Sequence, residues 1–214
     1  MEAYADQSGW WNRNSGKPFA HSFDAERFSR TAPLDARILD YGCGQGRLCA
    51  ELARLGYQNY CGIDFASEML RVARERNPGR RFLANEGTGV PAETGSFDVV
   101  LLFAVLTCIP DDAAQKKLLA EFKRILVPGG LLLLSDYPLQ ADARNLERYR
   151  RFEEELGGYG RFRIADGAVL RHHRREWFGE LLAGFTVEHE AQIDGLTMNG
   201  NPARILQLWA RKER

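Results

Sequence analysis

The residues in this chain best suited to hold a ligand are a carboxylate and three alternating glycines, Asp40-Tyr41-Gly42-Cys43-Gly44-Gln45-Gly46. Ile38 and Leu39 before them read as the end of a buried strand. Leu48, Leu52 and Leu55 after them repeat on one helical face. Glycines at a strand-to-helix turn let the backbone pass where a side chain would collide with a ligand. The free N–H groups at the start of the helix then face that ligand. A second carboxylate, Asp64, closes a short apolar strand about twenty residues on, where it can accept from both hydroxyls of a ribose. A bulky, nucleotide-like molecule is therefore expected across this turn.

The spacing also says which nucleotide does not fit. A dinucleotide site wants G-x-G-x-x-G, and here Arg47 stands where the third glycine would fall. Asp40, just ahead of the first glycine, is an awkward neighbour for a pyrophosphate but suits an ammonium or a sulfonium.

The elements that position these residues alternate. Tyr60 to Asp64 reads as a second strand, and a helix follows with Ser67 near its N-cap and Met69, Val72 and Ala73 on one face. Asn77-Pro78-Gly79 stops that helix. Arg81 to Ala84 is a weaker third strand. Phe97 to Phe103 is nearly all apolar, as expected of a strand covered on both faces. Asp111 and Asp112 can cap a helix carrying Leu118, Leu119, Phe122, Ile125 and Leu126 at helical spacing. Pro128-Gly129-Gly130 ends it before a fifth strand that closes on Ser135-Asp136-Tyr137. Alternating strands and helices imply a parallel sheet with right-handed crossovers. The last two strands, residues 185–189 and 204–209, have no helix between them and should pair antiparallel.

These motifs resemble those of the class I S-adenosylmethionine-dependent methyltransferases. Residues 40–46 look like that family's glycine-rich first motif, and Gly62-Ile63-Asp64-Phe65-Ala66-Ser67-Glu68-Met69-Leu70 like its acidic second. Ser96 to Val100 is similar to the strand before its fourth motif, and Leu126-Val127-Pro128-Gly129-Gly130 to the turn before its fifth strand. The resemblance spans about residues 36–136 and 180–211. It implies a three-layer α/β sandwich with a Rossmann-like, mostly parallel seven-stranded sheet and an antiparallel last strand. The chain would form one domain over residues 1–214, with an N-terminal flap (1–30) and an inserted cap (138–175).

The resemblance further implies S-adenosylmethionine as cofactor and S-adenosylhomocysteine as product. Asp40, Gly42 and Gly44 would lie at the methionine and ribose part, and Asp64 would hold the ribose hydroxyls. Phe65 and Met69 would flank the adenine. Glu86 would meet the adenine amino group beside Gly87, and Phe103 and Ala104 would pass near the sulfonium. The usual residue at the position of Glu86 is Asp, and the extra glycines Gly87 and Gly89 depart from the family pattern. An acidic residue in such a loop can also be merely solvated.

Other residues carry two readings each. The aromatic-rich start, with Tyr4, Trp10, Trp11, Phe19, His21, Phe23 and Phe28, is either a flap packed on the sheet or a lid over the cofactor. In the second reading Tyr4, Trp11 or Arg13 contacts donor or substrate. The long turn from Ile193 to Pro202 is either an ordinary Asn/Gly reversal or part of an acceptor site through Thr197, Asn199 and Asn201. Ligands of open α/β sheets bind beyond the carboxyl ends of the strands. That places Asp136 and Tyr137 beside the acceptor, with His172 and His173 in the cap as further candidates for proton removal. As neighbours on a strand the histidines face opposite sides and make a poor chelating pair, so no metal site is expected. The arginines of residues 144–175 read mostly as a solvated helical face, with Arg161, Arg163, Arg171, Arg174 and Arg175 free to steer an anion.

Composition narrows the classes. The 214 residues carry no net charge, which disfavours a nucleic-acid partner, and no run of about eighteen apolar residues suggests a membrane span. The four cysteines show no C-x-x-C pairing, and the start is not signal-like, so a reduced cytoplasmic protein is expected. The reading is a methyltransferase acting in line on a small-molecule acceptor. A non-catalytic cofactor-binding module is the first rival, and a nicotinamide-dependent oxidoreductase the second. Neither the accepting atom nor the choice between monomer and homodimer can be read from these residues.

Overall fold

A computed structural model describes residues 7–14, 16, 21–85 and 89–214. Its centre is one seven-stranded sheet of order β3-β2-β1-β4-β5-β9-β8. The strands are β1 (Ile38–Tyr41), β2 (Tyr60–Asp64), β3 (Arg81–Ala84), β4 (Phe97–Phe103), β5 (Leu126–Asp136), β8 (Phe185–Leu196) and β9 (Pro202–Lys212). The first five run parallel, and β9 lies antiparallel between β5 and β8. A separate two-stranded hairpin, β6 (Arg161–Arg163) with β7 (Val169–Arg171), belongs to the segment between β5 and β8.

Successive residues of the central strands point to opposite faces, and both faces are covered. On one face Leu39, Tyr41, Val100, Leu102, Leu132 and Leu134 pack under α5 (Asp112–Ile125) and α7 (Arg175–Leu181). On the other, Ile38, Val99, Leu101, Phe103, Leu131 and Leu133 pack under α2 (Ala25–Thr31), α3 (Arg47–Arg54) and α4 (Ser67–Arg76). This double covering explains why β4 is apolar almost throughout. This three-layer α/β sandwich, with a mostly parallel seven-stranded sheet and an antiparallel last strand, is the architecture expected from the sequence.

Two details differ from expectation. The chain leaves α5 at Ile125 and enters β5 at Leu126, ahead of Pro128-Gly129-Gly130. A residue before proline avoids the helical region, so Val127 is already extended, and the Pro-Gly-Gly turn becomes an irregularity between β4 and β5. Second, β8 and β9 pair over far more residues than the apolar cores at 185–189 and 204–209 suggest. The start of α4 is as expected: Ser67 follows the N-cap Ala66, whose N–H donates to Asp64 Oδ1 at 2.9 Å.

The glycine turn is held by close packing behind it. Gly46 has φ +75°, and a Cβ there would lie 2.6 Å from Asn77 Nδ2 and 3.1 Å from the Phe82 ring. Gly46→Ala is expected to lose about 2–4 kcal/mol of stability from left-handed strain and overpacking together. Urea denaturation checks this, and a loss under about 1 kcal/mol would contradict it.

Candidate active site

The parallel strands end level with one another: Tyr41 pairs with Ile63 and Leu102, Asp64 with Ala84, and Phe103 with Ser135. Asp40, Asp64, Phe103 and Asp136 are thereby gathered at one sheet edge. Asp40 is buried and accepts from the Tyr60 hydroxyl at 2.7 Å. Burial pushes its pKa up to about 7, opposed by that bond and by the Arg47 charge. Asp64 Oδ2 accepts from the Gly44 N–H at 2.9 Å while Oδ1 holds Ala66, so its carboxylate is fixed against the glycine turn. Burial raises its pKa, and the backbone N–H groups pull it back.

The three glycines differ in what lies before them. A Cβ on Gly42 would sit 2.4 Å from Val105 Cγ2, so this glycine is demanded by protein packing. Gly44, at φ +51°, would meet only the Met69 sulfur, at 4.0 Å. The space in front of Gly44 is an open cradle, bordered by Met69 and by the Asp64 carboxylate. Phe65, next in chain to Asp64, is 44% exposed, unusual for a ring that size beside a buried strand end. At the end of β4, Ala104 takes φ +55°, the sole non-glycine residue with positive φ among the described residues. Its N–H donates to the Ser135 carbonyl at 2.7 Å. Such strain, about 1–2 kcal/mol in an alanine, gathers at functional sites. Tyr4, Glu86 and Gly87 lie outside the described residues.

Beyond this edge a second hollow opens under the segment 138–175. Thr107, Cys108 and Tyr137 form its floor, and Trp11 of α1 (Ser8–Arg13) closes one side. Arg144 and Arg148 of α6 (Ala143–Phe152), with Phe162 and Leu170 from the hairpin and His172 just after it, line the side toward the 138–175 segment. Thr197, Met198, Asn199 and Asn201 complete the rim from the β8–β9 turn. Of the sequence candidates, Trp11, Tyr137, His172, Thr197, Asn199 and Asn201 therefore meet in one place. Arg13 is exposed and does not border the hollow.

Asp136 and His173 do not border it either. The Asp136 carboxylate accepts from the N–H groups of Tyr137, at 2.8 Å, and Thr107, at 3.2 Å. It ties the end of β5 to the turn after β4, and burial pushes its pKa up to about 7. His173 turns the opposite way from His172, and Gln115 donates to its Nε2 at 2.8 Å. Burial drives His173 down to about 3, so it stays neutral. An unfolded histidine binds its proton near pH 6.5 while this one does not, so the unfolded chain gains protons as pH falls and folding weakens. His173→Gln should remove that loss: between pH 7 and pH 5 its stability should improve over wild type by about 2 kcal/mol, read from paired urea titrations. An unchanged difference between the two pH values would contradict the buried neutral state.

Arg161, Arg163, Arg171 and Arg175 are not free to steer an anion. Arg161 and Arg171 converge on Asp112, Arg163 pairs with Glu155 at 2.8 Å, and Arg175 with Glu190. All but Glu155 lie far away along the chain or on another element, which is why the local sequence showed no partner. The cations that do face the hollow are Arg144 and Arg148. Their spacing of one helical turn, beside the buried pair Asn145 and Tyr149, is the signal that could have singled them out.

Comparison with known proteins shows what the chain around this edge is similar to. Residues 39–134 match a family described as a methyltransferase domain. A SAM-dependent methyltransferase from Methanosarcina mazei superposes with a TM-score of 0.83 at 25% identity, over 91% of this chain and 99% of that one. Over these residues the chain is similar to S-adenosylmethionine-dependent methyltransferases. The ubiquinone biosynthesis O-methyltransferase of Xanthomonas oryzae pv. oryzae is 36% identical over 135 residues, 59% of this chain and 55% of that protein. The match thus spans about half the length of that curated relative. The protein of the same name from Ralstonia nicotianae is 28% identical over 221 residues, 90% of each chain.

The family's cofactor is S-adenosylmethionine, and the residues present fit it. The cradle before Gly44 lacks a side chain where one would obstruct, the Asp64 carboxylate is fixed at its rim, and the Phe65 ring stands exposed beside it. No group of three or more His, Cys, Asp or Glu able to hold a metal occurs among the described residues. No helix among them is long and apolar enough to cross a membrane.

Proposed function

We propose that this protein transfers the methyl group of S-adenosylmethionine to a small-molecule acceptor lodged under the 138–175 cap. The observation that carries this reading is the adjacency of two hollows on one sheet edge. One is the Gly44 cradle with Asp64, and the other is lined by Tyr137, His172 and Arg148. The size of the second, lined by side chains from α6, the hairpin and the β8–β9 turn, suits a small acceptor. The names of the Xanthomonas and Ralstonia relatives favour an oxygen as the accepting atom.

When bound, S-adenosylmethionine supplies an electrophilic methyl group. Asp64 would hold the ribose hydroxyls, Phe65 and Met69 would flank the adenine, and Gly44 leaves room for the methionine part, with Gly42 letting the turn pack against Val105 beside it. Asp40 lies beneath that turn, and Phe103 and Ala104 bring the end of β4 to the reacting region. The chain acts as a single domain, and Trp11, in the described part of the N-terminal region, shields the acceptor side from water. The protein's main contribution is to hold the two reactants in line, worth up to roughly 7–11 kcal/mol.

Incubation with methyl-tritiated S-adenosylmethionine and a panel of phenols, catechols and organic acids tests the proposal. Label should pass to at least one acceptor, with S-adenosylhomocysteine formed in equal amount. Tight binding of S-adenosylhomocysteine without transfer to any of the panel would favour the non-catalytic module.

A further inference from the structure

The hollow under the cap is rich in hydrogen-bond donors and has no carboxylate on its walls. Arg148 is the centre of this imbalance. Its guanidinium carbon stands 3.4 Å over the Phe162 ring, and its Nε is buried with no hydrogen-bond partner. Among the described residues no carboxylate pairs with it, whereas the cationic residues Arg161, Arg163, Arg171 and Arg175 each have one. Asp142, whose charge reaches Arg148, spends its carboxylate on capping α6 through Asn145. A largely buried cation without a counter-ion is unfavourable, and burial pushes this guanidinium down to about 10. It remains charged at neutral pH.

Two neighbours share its polarity. The Trp11 indole N–H is buried without a partner at the same hollow. His172 is fixed as a donor by what lies behind it. The Tyr149 hydroxyl accepts from the Gln140 N–H at 3.2 Å and lies 2.5 Å from His172 Nδ1. The phenol must place its own proton somewhere, and Nδ1 is the acceptor within reach. Burial and nearby arginines keep His172 neutral, so its proton is on Nε2, which has no protein partner among the described residues. The imidazole therefore offers an N–H to the hollow and has no lone pair left with which to take a proton.

We infer that the acceptor is a small organic acid with an apolar, ring-sized body, its carboxylate bound by the Arg148 guanidinium with help from Trp11 and His172. This rests on the methyltransferase reading above and adds the substrate class. A planar guanidinium fork matches a carboxylate, and the flanking Phe162, Tyr137 and Leu170 suit the body of such a molecule.

Isothermal titration of benzoate, benzamide and phenyl phosphate into protein saturated with S-adenosylhomocysteine tests it. Benzoate should bind saturably and at least about tenfold tighter than neutral benzamide. Arg148→Gln should weaken benzoate about tenfold to a hundredfold while S-adenosylhomocysteine affinity is kept, and Arg148→Lys should fall between. Equal binding of benzoate and benzamide, no binding of benzoate, preference for phenyl phosphate, or an unaffected Arg148→Gln would each overturn the inference. S-adenosylhomocysteine binding is read separately. Its failure would count against the methyltransferase reading, and benzoate titrated into the free protein would still report on the hollow.

Discussion

Asp64→Ala is expected to weaken S-adenosylhomocysteine binding by a hundredfold or more, about 3 kcal/mol, with the fold intact. The carboxylate ends β2 at the level of the glycine turn, and each of its oxygens is already aligned by a backbone N–H, from Gly44 and from Ala66. Those two bonds fix the orientation and leave a lone pair on each oxygen for a ribose hydroxyl. A hydrogen bond to a charged group contributes about 1.5–3 kcal/mol, so losing two gives the stated magnitude. The substitution also frees the Gly44 N–H, which loosens the cradle and adds to the loss. Asp64→Asn keeps the shape and one acceptor, and should fall between alanine and wild type. Calorimetry of S-adenosylhomocysteine binding measures both. An affinity for Asp64→Ala within a few-fold of wild type would move the ribose away from this strand end.

The second large effect separates two roles for His172. As a donor through Nε2, it can be replaced by glutamine, whose side-chain amide can present an N–H from a similar position. His172→Gln should therefore keep kcat within a few-fold for whichever acid turns over in the methyl-transfer screen. His172→Leu removes the donor and leaves the Tyr149 hydroxyl without its acceptor. It should raise KM for that acid about tenfold to a hundredfold with a smaller change in kcat. A general base would behave differently: both variants would lose about 10²–10⁴ in kcat. That outcome would show that the imidazole takes a proton, against the tautomer set by Tyr149.

Much of this architecture was readable from local pattern. The glycine turn, the apolar run of β4 and the acidic end of β2 each owe their character to neighbours a few residues away. Their order therefore pointed to the parallel sheet and its carboxyl edge. What escaped reading depends on pairing across the chain. Arg161 and Arg171 read as free cations because Asp112 reaches them only through the fold. His172 and His173 look equivalent in sequence, yet one meets Tyr149 at the hollow and the other Gln115 in the core. Asp136 has the residue type of a base and serves instead to tie two backbone segments together. The positive φ of Ala104 has no sequence signature, since alanine ordinarily avoids it. His21 lay in a stretch read only for its aromatic rings. It is buried against Ser135 at 3.0 Å, and burial drives it to about 3. Arg148 was hidden among alternating charges, because only the three-dimensional count of partners separates it from the arginines around it.

The melting temperature with S-adenosylhomocysteine and with NAD, each alone, tests the central claim most directly. At a hundred times its Kd a ligand adds about 2.7 kcal/mol, which in a chain of this size raises Tm by roughly 5–10 °C. S-adenosylhomocysteine should produce that rise and NAD should leave Tm unchanged. A rise with NAD and none with S-adenosylhomocysteine would mean that the Gly44 cradle holds a different nucleotide, and methyl transfer would no longer describe this protein.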